Sequence, residues 1–277
     1  MKLKVLFVGM MLCTGAMANQ ENALPTCYEG KLQAKPVALD TELFVAIDQT
    51  TLLDVKLKQL VADNVKHLIG PNNGFSVMTF SAYTQGQYTS VSVSGKLDAE
   101  MDEQTRNDIA KPVLTKFDQC MKKQPQMGLQ LVGSALRGAF DGTSSEIAKS
   151  DVLASLKAIS SKVRQSKAQN KVVLIVSDML ENSSVSSFYG PKAESVRKIE
   201  PAKELSLVEK HNLAADFGGA RVYIIGAGLL SADSEKAKRY RDPITMQTLS
   251  SFWGSYFQKS NAKLMEFGQP ALLNPVR

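Results

Sequence analysis

Lys171–Leu180, KVVLIVSDML, is the stretch that decides the fold predicted for this chain. Its apolar, β-branched run ends at Ser177 and Asp178 and is followed by the polar tract Glu181–Ser184. A short run of this kind, bounded by turn residues, is typical of a strand buried on both faces of a parallel sheet. Asp178 is then expected at the carboxyl end of the strand, where open α/β sheets bind ligands.

A second stretch, Leu43–Asp54 (LFVAIDQTTLLD), repeats this arrangement. Its apolar first half predicts another buried strand, whose carboxyl end delivers Asp48 and Thr50. Because the carboxyl ends of neighbouring parallel strands meet at one edge of a sheet, Asp48 and Asp178 are expected to face the same crevice.

Hydrophobic periodicity predicts an alternation of strands and helices along the chain. The predicted strands are Leu43–Ile47, Phe75–Phe80, Tyr88–Leu97, Val172–Ser177, Arg221–Ala227 and Lys263–Phe267. The predicted helices are Leu52–Leu68, Glu103–Met121, Leu129–Phe140, Ser150–Val163, Glu204–Phe217 and Thr245–Ala262. The second and third strands are too close in sequence for a helical crossover, so they are expected to pair antiparallel.

This order predicts an α/β fold. We expect a doubly wound, mostly parallel sheet with one antiparallel edge strand and helices on both faces, in a single domain over residues 41–270. Residues 271–277 are expected to form a fraying C-terminal tail, because Pro270 and Pro275 interrupt regular structure there.

Residues 1–18 have the features of a secretory signal peptide. Two lysines precede the apolar run Val5–Leu12, and Ala16–Ala18 is a small-x-small cleavage site. Cleavage after Ala18 predicts a periplasmic or secreted protein with an extended lead-in over residues 19–40 and no stable membrane insertion. Lipid attachment at Cys13 is disfavoured, because a leucine precedes it where lipidation signals need a small residue.

Two cysteines, Cys27 and Cys120, remain after this cleavage, in a compartment where thiols oxidise. One interpretation leaves them unpaired and buried. The favoured interpretation is a disulfide, because it would tie the lead-in to a helix and restrict the unfolded chain.

The composition disfavours several classes of function. The net charge of +6, reduced by the two lysines of the predicted signal peptide, is too mild to predict nucleic-acid binding. His67 and His211 are the only histidines, so the sequence offers few residues that could form a zinc site or a Cys/His catalytic pair.

With this order of elements, residues 40–270 resemble the von Willebrand factor A domain. The signature of that family is D-x-S-x-S after the first strand, a Thr before a middle helix and an Asp after the fourth strand. Asp48-Gln49-Thr50-Thr51-Leu52 stands at the first position and Asp178 at the last. Ser150, which precedes a predicted helix, best matches the middle position, with Thr143 and Ser145 as alternatives.

The resemblance implies a degenerate metal-ion-dependent adhesion site formed by Asp48, Thr50, Ser150 and Asp178. Mg²⁺ or Mn²⁺ is the expected ion, because hard cations prefer oxygen ligands. Leu52 departs from the signature, since it stands where the family has its second serine and cannot ligate. Asp54, close by on the first helix turn, is the alternative ligand for this position. The plain alternative is that these residues are turn residues and helix N-caps.

The long polar segment from Met179 to Lys203 is expected to emerge beside Asp178. Phe188 and Tyr189 place two aromatic side chains in it. They are predicted to contact a partner protein, because aromatic residues are enriched at interface hot spots. The alternative is that they fold back onto the sheet edge as an anchor.

The function predicted from these observations is that of an exported, non-enzymatic protein-binding module, which engages a partner of the cell envelope with the help of a divalent cation. A metal-free scaffold of the same fold is the second interpretation. A hydrolase using the carboxylates of Asp48 and Asp178 is the third. The sequence lacks a G-x-S-x-G elbow, a P-loop and a full dinucleotide-binding fingerprint, which disfavours the enzyme.

Overall fold

The structure, a computed structural model, describes residues 22–30, 32–35, 37–84, 87–144, 150–190, 195–230 and 242–277. The predicted signal peptide (1–18), Cys13 and Ser145 lie outside these residues.

One sheet organises the described part of the chain. Its strands are β1 (Thr41–Asp48), β2 (Asn73–Thr84), β3 (Gln87–Lys96), β4 (Asn170–Val176), β5 (Ala220–Ile225) and β6 (Ala262–Phe267), in the spatial order β3-β2-β1-β4-β5-β6. All neighbouring strands are parallel except β2 and β3, which form an antiparallel hairpin at one edge. β1 and β4 lie side by side at the centre, and the apolar residues of β4 are buried, as expected for a strand covered on both faces.

Helices cover both faces of the sheet. They are α1 (Val55–Lys66), α2 (Glu103–Asn107), α3 (Lys111–Asp141), α4 (Val152–Gln165), α5 (Pro201–Lys210) and α6 (Pro243–Lys259). Side chains of α1 and α3 join the apolar core on one face, and side chains of α4, α5 and α6 join the core on the other. The predicted fold class is therefore confirmed: an α/β, mostly parallel sheet with one antiparallel edge strand, in a single domain.

The prediction of two separate helices ending at Met121 and beginning at Leu129 was wrong. α3 runs for 31 residues without interruption through Pro125, and the break lies earlier, between α2 and α3. The polar, proline-containing tract in the middle of α3 suggests a linker, but tertiary packing holds it helical. Gly128 is buried there, and a Cβ at its position would lie 2.9 Å from the Ile69 side chain, so the helix packs very closely on its neighbour.

The N-terminal lead-in packs against α2 and the first half of α3. Cys27 and Cys120 form a disulfide, as predicted, with Cα atoms 5.6 Å apart. Cys27 is buried together with Met101 and Phe117 in a small separate core. We call this region, residues 22–35 where described together with 97–121, the disulfide lobe.

The C-terminal tail does not fray. Val276 and Leu272 are buried in the core on the α1 face. The backbone N–H of Val276 donates to Oδ1 of Asn64 on α1 at 2.8 Å, which satisfies a buried amide. Proline residues end regular structure here, but they do not prevent packing.

Candidate metal and partner site at the carboxyl edge

The register of the parallel pair β1 and β4 brings the predicted acidic residues to one edge of the sheet. Ile47 on β1 lies opposite Val176 on β4, so the chain leaves both strands at the same level. Asp48 ends β1, while Ser177 and Asp178 follow β4. Parallel pairing of the two central strands therefore creates a cluster at the carboxyl edge, as the alternation of elements predicted.

Asp48 is the centre of this cluster and is fully buried. Its Oδ1 accepts hydrogen bonds from the backbone N–H of Thr50 at 2.9 Å and from the Thr50 hydroxyl at 2.6 Å. Its Oδ2 accepts from the hydroxyls of Ser177 at 2.8 Å and Ser150 at 3.2 Å. Three predicted ligands, Asp48, Thr50 and Ser150, are thus in direct contact.

Asp178 lies beside this group and is also buried. Its Oδ1 accepts from the backbone N–H of Leu180 at 2.8 Å, and its Oδ2 accepts from the hydroxyl of Tyr189 at 2.6 Å. Its own N–H donates to the hydroxyl of Thr51 at 3.0 Å, which ties the turn after β4 to the turn after β1. We call Asp48, Thr50, Ser150, Ser177 and Asp178 the acidic edge.

The electrostatics of the acidic edge are unfavourable for two negative charges. Burial raises the pKa of Asp178 to about 8, and the neighbouring charge of Asp48 contributes in the same direction. Burial also raises the pKa of Asp48, against four hydrogen bonds that lower it. Within the described ranges, neither carboxylate forms an ion pair with a basic side chain. A cation at this edge would relieve the repulsion between the carboxylates.

The alternative ligands, Asp54 and Thr143, form hydrogen bonds outside the acidic edge. Asp54 caps α1, accepting from the backbone N–H of Leu57 at 2.8 Å. The hydroxyl of Thr143 donates to the carbonyl of Phe140 at the end of α3. Leu52, where the family signature has a serine, is half-buried and offers no oxygen from its side chain.

The two aromatic residues of the Met179–Lys203 segment have different environments. Phe188 is fully buried, and its ring packs edge-on against Phe252 at 5.1 Å between centroids and against Trp253 at 6.3 Å. Its side chain therefore lies in the core, in agreement with the anchoring alternative, and is not available on the surface. Tyr189 is half-buried, and its hydroxyl reaches the acidic edge.

Sequence reasoning missed three residues at this edge. The hydroxyls of Ser177 and Thr51 connect the two central strands through Asp48 and Asp178. Glu181 is buried, its Oε2 accepts from the backbone N–H of Leu153 at the start of α4, and burial raises its pKa to about 7. The Ser-Asp pair directly after the strand was a signal for Ser177, whereas Glu181 depends on a contact distant in sequence.

The chemistry of the donors fits a hard cation. Two carboxylates and three hydroxyls supply only oxygen atoms, which Mg²⁺ and Mn²⁺ prefer to nitrogen or sulfur. The part of the chain that the structure describes contains no group of three or more His, Cys, Asp or Glu residues arranged to hold a metal ion. Any cation at this edge would therefore depend on the hydroxyls of Thr50 and Ser150 in addition to the carboxylates.

The strand order, with its antiparallel edge strand, is that of a doubly wound α/β sheet and is consistent with a von Willebrand factor A-like or Rossmann-like fold. No protein-family profile matches the chain. No curated protein matches it either. None of the helices within the described ranges combines the length and apolar character that a membrane-spanning segment needs.

Two solved structures show distant similarity to this chain. An aerotolerance-related membrane protein from Bacteroides fragilis NCTC 9343, with multiple mutations to serine, is 9% identical, with a TM-score of 0.34 over 83% of this chain and 92% of that chain. The N-terminal domain of TFIIH p34 is 12% identical, with a TM-score of 0.29 over 79% of this chain and 98% of that chain. At these values neither similarity carries an argument about function, which rests on the geometry of the acidic edge.

Proposed function

We propose that this protein is an exported, non-enzymatic protein-binding module that engages a partner of the cell envelope through the acidic edge, with the help of a divalent cation. The observation that carries the proposal is the convergence of Asp48, Thr50, Ser150 and Asp178, from three separate parts of the chain, at one end of the central strands. Export is inferred from the signal-like N-terminus, and the disulfide fits an oxidising compartment.

The acidic edge offers defined roles for its residues. Thr50 and Ser150 would hold the ion through their hydroxyls, and Asp48 and Asp178 would neutralise its charge directly or through bound waters. The ion would supply an open coordination position for an oxygen of the partner. The hydrogen bond from the Ser177 hydroxyl fixes the carboxylate of Asp48 before binding, and the bond from the backbone N–H of Asp178 to the Thr51 hydroxyl fixes the turn that carries Asp178, which lowers the cost of ordering them.

An affinity capture from envelope extract tests this proposal. The mature protein and the Asp48→Ala variant serve as baits, each with Mg²⁺ and with EDTA. We expect one protein to be retained by the wild type in Mg²⁺ and lost with EDTA or with Asp48→Ala. Asp63→Ala, which changes an exposed carboxylate of α1 outside the edge, is the matched control and should retain the same partner.

The same experiment tests the second candidate, a metal-free scaffold. Leu52 favours this candidate, because it removes one oxygen from the family signature. Capture that is unaffected by EDTA but lost with Asp48→Ala would support binding through the edge without a cation. Capture that is unaffected by both changes would place the binding surface elsewhere and contradict the proposal.

A further inference from the structure

The hydroxyl of Tyr189 occupies the acidic edge from within the chain. It donates to Oδ2 of Asp178 at 2.6 Å, and the backbone N–H of Leu180 donates to the other oxygen at 2.8 Å. Both oxygens of Asp178 are therefore bound by its own following segment. Asp48 differs, because its partners include the hydroxyls of Thr50 and Ser150, which are themselves suitable ligands for a cation.

The position of Tyr189 is maintained by a well-anchored segment. The neighbouring Phe188 is buried against α6, and its carbonyl accepts from the backbone N–H of Arg197 at 2.8 Å. Arg197 in turn forms an ion pair with the buried Glu204 of α5 at 2.7 Å. Tyr189 also pairs with Val196 in an isolated antiparallel bridge. These contacts involve α5 and α6, and they fix the backbone around Tyr189.

We propose that Tyr189 is an intramolecular cap that keeps the acidic edge closed. A divalent cation can bind the carboxylate of Asp178 only by displacing the Tyr189 hydroxyl. This inference rests on the proposed cation site and adds a closed state to it. The hydroxyl and a cation compete for the same carboxylate oxygen, since Oδ2 cannot accept the 2.6 Å bond and at the same time face an ion or its bound water in that direction. Release of the cap is then the step that couples cation binding to a change in the segment Met179–Gly190.

The Tyr189→Phe variant tests the cap, because it removes only the hydroxyl and leaves the ring. We expect Mn²⁺ and Mg²⁺ to bind this variant about 10- to 100-fold more tightly than the wild type, the effect of one hydrogen bond to a charged group. Isothermal titration calorimetry at one fixed pH measures the affinity. Emission of Trp253, which packs against Phe188, verifies that the variant is folded.

Two further variants keep the result unambiguous. Tyr189→Leu also lacks the hydroxyl and should gain affinity as Tyr189→Phe does, even if one of the two folds poorly. Tyr28→Phe removes a hydroxyl that donates to Ala99 in the disulfide lobe, and it should bind as the wild type does.

Each outcome decides a separate question. Tighter binding by the Tyr189 variants alone supports the cap. Equal binding by wild type and both Tyr189 variants overturns the cap but leaves the cation site intact. If none of these proteins binds Mn²⁺ or Mg²⁺, the cap and the cation are both overturned, and binding of a protein through the edge is then decided by the capture experiment in EDTA.

Discussion

The disulfide lobe and the acidic edge use carboxylates in opposite ways. In the disulfide lobe, Asp98 is half-buried and accepts from the N–H of Cys27 at 2.6 Å, the hydroxyl of Thr26 at 3.1 Å and the amide of Gln124 at 2.9 Å. These bonds of Asp98 connect the lead-in to α3 next to the Cys27–Cys120 disulfide. At the acidic edge, Asp48 and Asp178 are buried together, and the charge of one raises the pKa of the other.

The comparison separates stability from function. In the disulfide lobe, the Asp98 carboxylate is hydrogen-bonded and a covalent cross-link lies nearby. Changes there should therefore alter the free energy of unfolding and little else. The acidic edge accepts an electrostatic cost, and such costs are concentrated at functional sites. The predictions below test this division.

Removal of the disulfide should have the largest effect on stability. Replacing Cys27 and Cys120 together with serine releases a loop with a sequence separation of 93 residues, so the free energy of unfolding should fall by roughly 4 kcal/mol. Denaturant unfolding, followed by Trp253 emission, measures the loss. Cation affinity at the acidic edge should stay within the error of the wild-type value, because the hydrogen bonds described for the Asp48 carboxylate come from Thr50, Ser150 and Ser177, which lie outside the lobe. A lost affinity in the folded variant would show that the two regions are coupled.

Phe188→Ala should cost about 3 kcal/mol, because the ring is buried and its removal leaves a cavity beside α6. The variant should also loosen Tyr189 and thereby change the acidic edge. Phe117→Ala is the matched control, since it removes an equally buried ring from the disulfide lobe. We expect similar losses of melting temperature in both variants, and a changed affinity for Mn²⁺ in Phe188→Ala alone. Wild-type stability of Phe188→Ala would contradict the anchoring role.

The contrast between the two regions also shows what the sequence could predict. Local patterns were sufficient to predict the strands and the antiparallel edge: apolar runs such as the one ending at Asp178 mark the strands, and the gap after β2 is too short for a helix. They also place Asp48 and Asp178 at one edge, because parallel strands end together. The division of α3 was misjudged, since burial of Gln124 and Gly128 overrides the local signals of proline and glycine.

Contacts between distant residues account for the rest. The hydrogen bond between Tyr189 and Asp178 and the burial of Phe188 depend on how a long polar segment folds back, for which no periodicity exists. A polar loop with two aromatic residues suggested either an anchor or an exposed contact, and only packing separates them. The structure assigns the two residues different places, one in the core and one at the edge.

The acidic edge should make stability depend on pH above the ordinary pKa range of carboxylates. The pKa of Asp178 is raised in the folded state, so its contribution is fully favourable below the ordinary value for Asp and is lost as the pH rises towards about 8. Glu181, with a pKa near 7, acts in the same direction. The free energy of unfolding without divalent cations should therefore fall as the pH is raised from about 5 to about 8.

Asp178→Asn tests the origin of this slope, because the amide cannot ionise. Chemical denaturation over the same pH range should show a shallower decline for this variant than for the wild type. Asp98→Asn, in the disulfide lobe, should lower stability, because it weakens the hydrogen bonds that tie the lead-in to α3. A slope that is identical in wild type and Asp178→Asn would show that the buried acid is not its source.

The smallest effect separates a helix cap from a metal ligand. Asp54 stands close in sequence to the family signature, but its carboxylate accepts from the N–H of Leu57 and closes the first turn of α1. Asp54→Ala should therefore lower the free energy of unfolding by about 1 kcal/mol and leave the affinity for Mn²⁺ unchanged. Asp242→Ala, which removes the corresponding cap of α6, should cost a similar amount. Loss of Mn²⁺ binding in Asp54→Ala alone would mean that the carboxylate leaves the helix end when a cation arrives, and that the acidic edge extends from the end of β1 to the start of α1.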